Sequence, residues 1–201
     1  MRSLIVLVPF LISVTAAAQV PVSFETSLGL LRQNVLAVRA QQVETKNASL
    51  VADINRLRGT AQWLRADLSR MRGELLSLSS RVRGAQTADS ILRYDVQRFN
   101  YFLQETARKA QDLAYGVRRV DNAVTDKDPA LVGPAQALAS ETRWLGSDLV
   151  WITNDLRSMG WDLRRIQMHM EAFDVERESR ELDNQVTQAD SEAQRLLSKV
   201  R

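Results

Sequence analysis

The chain has 201 residues, 45% of them hydrophobic and 25% charged, with no cysteine and a formal net charge of +3. The absence of cysteine excludes disulfides and thiol chemistry, and the length suffices for one sizeable core. Basic and acidic residues are interleaved without a stripe of one sign, which argues against a nucleic-acid partner despite a sequence pI of about 9.6.

The N-terminus reads as a removable secretory signal. Arg2 supplies the positive end, residues 4–14 are apolar, and Ala16, Ala17 and Ala18 give the small residues of a cleavage site, with cleavage expected after Ala18. The apolar stretch is shorter than the roughly 20 residues needed to cross a bilayer core of about 30 Å. The expected product is periplasmic or secreted, with no stable membrane insertion after cleavage.

Residues 19–46 form an N-terminal helical extension, in which Leu28, Leu31, Val35 and Val38 keep helical spacing in a phase of their own. A first continuous seam follows: Leu50, Ile54, Leu57, Ala61, Leu64, Leu68, Met71, Leu75, Leu78, Val82. Its alternating steps of four and three give a helix one apolar stripe that must pack against other helices. Asn47 would sit in that seam. Residues 84–89 then make a short connection.

The second seam is Leu92, Val96, Phe99, Leu103, Thr106, Ala110, Leu113, Val117, Val120, Val124. The segment 126–134 (DKDPALVGP) breaks the pattern; Asp128 suits a cap and Pro129 a first helical position. The third seam runs from Leu131 through Leu138, Leu145, Ile152, Leu163 and Ile166 to Met170 and Phe173. After Phe173 the phase slips and resumes as Val175, Ser179, Leu182, Val186, Ala189, Ala193, Leu196, Val200. The expected fold is all-α, an elongated antiparallel coiled-coil-like bundle of about three long helices. These cover about 47–83, 89–126 and 131–173, with a charged C-terminal helix over 174–201 that either extends or folds back.

Residues 43–83 align without gaps on 124–164, matching Leu50 to Leu131, Trp63 to Trp144, Asp67 to Asp148 and Arg83 to Arg164. The shared W-L-x-x-D-L suggests an internal duplication. In heptad terms Arg58, Arg65 and Arg72 flank the first seam at e, while Glu141, Asp148, Asp155 and Asp162 flank the third at g. With those helices parallel, the g-to-e rule pairs Glu141 with Arg65 and Asp148 with Arg72.

The outer faces are the most unusual feature. Positions f of the first helix are Ala52, Gly59, Ala66, Gly73 and Ser80, although interior glycine costs a helix about 1 kcal/mol against alanine. Trp63, Trp144 and Trp151 occupy c positions and Trp161 an f position, all turned away from the seams. Gly59, Gly73 and the four tryptophans are therefore the candidate interaction residues, with the rings as anchors beside a small-residue groove. The competing reading is that the chain's own ends cover this face.

Nothing here points to chemistry. Met168-His169-Met170 contains the only histidine, but successive helical positions diverge by about 100° and no further ligand lies three or four residues away. Phosphate-binding loops and zinc-ligand spacings are absent, and the carboxylates sit beside arginines. No catalytic, metal or cofactor-binding residues are assigned. The expected function is that of an exported, non-enzymatic structural or interaction protein, a scaffold or assembly subunit with a protein partner or self-association. The alternatives are a binding module for an envelope polymer or small ligand through the tryptophan face, and a helical chaperone.

Overall fold

A computed structural model describes residues 24–125 and 127–201, so the expected signal segment 1–18 lies outside the described residues. Four helices follow in order: α1 (Phe24–Gly84), α2 (Ser90–Ala123), α3 (Pro129–Arg165) and α4 (His169–Val200). No strand occurs among the described residues, and the chain is an all-α helical bundle.

The expectation of about three helices is corrected to four. The third seam does not continue to Phe173; it stops at Ile166, and the chain reverses over residues 166–168. Sequence patterning missed this because the turn uses neither glycine nor proline. Gln167 adopts φ 63°, the left-handed conformation usually left to glycine. Its N–H donates to Arg164 O (3.0 Å) and the Met168 N–H to Leu163 O (2.9 Å). Those two bonds close a Schellman motif, sealed by the buried side chains of Met168 and Leu163. Met170 and Phe173, expected in the core, are exposed, and Met168 is buried instead.

The chain divides into two units, Met1–Glu44 and Thr45–Arg201. The described part of the first belongs to α1, and its side chains from residue 31 onward are exposed, Leu31, Val35, Leu36, Val38 and Val43 among them.

In the second unit, α1 and α2 form one antiparallel hairpin and α3 and α4 another. Lys109 reaches Asp67 (3.0 Å) and Arg81 reaches Asp95 across the first. Arg164 reaches Glu176 (2.6 Å), and Thr142 donates to Asp190 (2.9 Å), across the second. The hairpins lie side by side with α1 parallel to α3 and α2 parallel to α4. Arg65 meets Asp148 at 2.9 Å and Arg93 meets Glu171 at 2.7 Å. The resulting core is mainly aliphatic, with Phe99 its one buried aromatic among the described residues: Ile54, Leu68 and Leu75 of α1, Leu103 and Leu113 of α2, Leu138, Leu149 and Leu156 of α3, Leu182 and Leu196 of α4. Asp89 caps α2 through Leu92 N–H (2.6 Å), and Asp128 caps α3 through Ala130 N–H (2.8 Å).

Three details refine the heptad reading. Glu141 pairs with Arg58 (3.8 Å) and Gln62 (2.9 Å), and Asp148 with Arg65, one heptad lower than the g-to-e rule for a two-stranded seam. Each helix here meets two neighbours, so its flanking side chains reach level partners rather than the next heptad. Asn47 is half-buried and donates to the Asp128 carboxylate, which is how a polar residue occupies the end of the seam. Asp121 is fully buried on α2, within ion-pair reach of Arg195 (3.1 Å) and Lys199 (3.7 Å) of α4. Neither of its carboxylate oxygens accepts a hydrogen bond of good geometry, while the Lys199 ammonium donates to the Asp121 backbone oxygen (2.5 Å). The Lys109 ammonium is raised above the ordinary lysine value, first by its hydrogen bond to Glu105 and then by that to Asp67.

Candidate interaction faces

Because each helix buries one seam, its c and f positions stand opposite the core. All four tryptophans stand there: Trp63 is 77% exposed, Trp144 54%, Trp151 62% and Trp161 68%. Folding back of α4 therefore leaves the rings uncovered. A single exposed aromatic is ordinary, but four of four tryptophans outside a mainly aliphatic core is a pattern.

The rings fall into separate settings. Trp144 and Trp151 are seven residues apart on α3, about 10.5 Å along its axis. The Arg65 guanidinium of α1 lies 5.4 Å from the Trp144 ring centroid while it pairs with Asp148, so one cation ties that ring to the α1–α3 seam. Trp161 belongs to a different place, an open groove of about 610 Å³ between α3 and α4. Arg157, Arg164, Glu176, Arg180 and Asp183 line it with Trp161. Arg164 holds both the Trp161 ring (5.6 Å) and Glu176. Gly160 admits Glu176 here, since a Cβ would sit 2.9 Å from its Oε1.

Gly59 and Gly73 face open space: a Cβ at either would meet nothing within 4 Å. Neither is required by packing within the chain. Gly116 of α2 is the contrary case, because a Cβ there would lie 2.5 Å from Leu57 Cδ2 of α1. The helices approach closely at Gly116 and not at the two glycines that spacing had singled out.

Sequence reasoning passed over a further set, Tyr94, Tyr101 and Tyr115 of α2, which are 65%, 71% and 70% exposed. The signal was present: the three share the f position of the second seam. His169 opens α4 beside the turn, and among the described residues no group of three His, Cys, Asp or Glu side chains is placed to hold a metal ion. No described helix is long and apolar enough to cross a membrane.

No protein-family model, curated protein or solved structure matches this chain.

Proposed function

We propose that the chain is an exported, non-enzymatic scaffold or assembly subunit that works by presenting aromatic side chains on a helical bundle. The observation that carries this reading is the exposure of all four tryptophans outside a core built mainly of aliphatic residues. Tryptophan and tyrosine lead the residues that anchor protein interfaces, since a large rigid ring buries area at little entropic cost. Export rests on the basic, apolar and small-residue order of residues 1–18.

The test is Trp144→Ala combined with Trp151→Ala. Association with a partner protein is lost while helicity by circular dichroism is unchanged. Loss of helicity would make the rings structural and contradict the proposal.

The α3–α4 groove favours one alternative, a binding module for an envelope polymer or small ligand, because Trp161 lines it among Arg157, Arg164, Arg180, Glu176 and Asp183. Quenching of Trp161 fluorescence by envelope-polymer fragments, absent in Trp161→Phe, would favour that reading.

An internal duplication also fits the packing. The buried positions of α1 recur 81 residues on in α3, from Leu50 and Leu131 to Val82 and Leu163. Asn47 meets Asp128 at the same separation of 81. Buried positions of α2 recur in α4 at the slightly smaller separation of 79, as Val96 with Val175 and Val117 with Leu196. The shorter connection between α3 and α4 accounts for the difference.

A further inference from the structure

The outermost position of α2 carries Tyr94, Tyr101, Arg108 and Tyr115 at intervals of seven, with all three rings exposed. On α1 the same outermost position carries Ala52, Gly59, Ala66, Gly73 and Ser80. Tyr101 and Tyr115 are fourteen residues apart, and so are Gly59 and Gly73. Between each pair, at the midpoint, stand Arg108 and Ala66. One face is a row of large side chains and the other a row of gaps at the same spacing.

We infer that these two faces bind each other between copies of this chain, with α2 of one copy antiparallel to α1 of the next. Tyr115 then rests on Gly59 and Tyr101 on Gly73. The receiving positions are open, since a Cβ on either glycine would meet nothing within 4 Å. Small residues let a neighbouring helix approach closely enough for a ring to fill the space.

The heights agree as well. Within one chain, Leu57 meets Gly116, Asp67 meets Lys109 and Arg81 meets Asp95. Gly59 is therefore level with the neighbourhood of Tyr115, and Gly73 with that of Tyr101. Antiparallel docking needs no axial shift between copies. Two different patches that meet without an axial shift are related by a rotation without rise, which closes a ring where its angle divides a full turn.

The exposed rings supply a substantial part of the area such an interface needs. Tyr94, Tyr101, Tyr115 and the neighbouring Trp63 each leave about two thirds or more of the ring exposed. At 150–250 Å² per aromatic side chain, they contribute roughly 400–700 Å² toward the 1,200–2,000 Å² typical of a specific interface.

This inference rests on the reading of the chain as an assembly protein, and it names the partner for one pair of faces. The experiment is the solution mass of the protein as purified from cells, by light scattering on a sizing column. It compares the unaltered chain with Gly59→Leu/Gly73→Leu and with Tyr101→Ala/Tyr115→Ala. The expected result is an oligomer larger than a dimer that falls to monomer mass in both variants. The glycine variant is the sharper of the two, because leucine has room at both positions and favours helix. Its thermal midpoint should hold or rise while its mass falls. The chain has no cysteine, so Gly73→Cys with Tyr101→Cys should give disulfide-linked multimers on oxidation, whereas Gly59→Cys with Tyr101→Cys should not. A monomeric unaltered chain, or an oligomer indifferent to Gly59→Leu/Gly73→Leu, overturns the inference. Either result leaves the tryptophan reading to its own test, since Trp144 and Trp151 lie on α3.

Discussion

Gln167 carries the turn that makes the fourth helix possible, and it does so in a conformation that an L side chain resists. Gln167→Gly removes the Cβ conflict without touching the buried Met168–Leu163 contact. The variant should be more stable by about 1 kcal/mol, read as a higher denaturant midpoint at unchanged slope. A lower midpoint would show that the Gln167 side chain contributes more than its backbone costs. Asp121 presents the opposite situation, a buried charge that depends on neighbours. Arg195→Met with Lys199→Met strands it, at a cost of about 3 kcal/mol. Arg58→Ala, which removes a pair nearer the surface, should cost less than about 1 kcal/mol by the same denaturation measurement. At this scale the sequence was readable wherever periodicity decides burial. It was silent where a residue acts against its type, as Gln167 does, and where the partner comes from a distant helix, as Arg195 does.

The seams of α1, α2 and α3 were legible in the spacing as far as Ile166, because each helix buries one stripe and the stripe repeats every three to four residues. The final seam, from Val175 to Val200, was also legible residue by residue. What spacing could not show is where that seam goes. A phase slip between Ile166 and Val175 has two physical causes, a helix that changes its contact face and a chain that reverses. Only the backbone distinguishes them. The element most in need of a test is therefore α4, which packs against both α2 and α3. A chain ended after Met168 would expose the apolar stripes of both. It should lose its cooperative thermal transition and aggregate. A cooperative transition at the original midpoint would mean that three helices suffice.

For the whole molecule, the bundle supplies rigidity and its outer positions supply whatever is specific. The candidate tryptophans were legible because c and f positions follow from the seam register. Their division into an Arg65-linked site and an α3–α4 groove was not, since it depends on which helices become neighbours. The tyrosine row of α2 was equally readable from spacing, yet it acquires meaning only beside the open glycines of α1. Exposed rings on this bundle are proposed to dock another protein. The most direct test places a photo-crosslinking phenylalanine derivative at Trp151 in living cells, with Gln188, exposed on α4, as the control position. A discrete protein adduct at Trp151, absent at Gln188, is the expected result. No adduct at Trp151, or the same adducts at both positions, would contradict it.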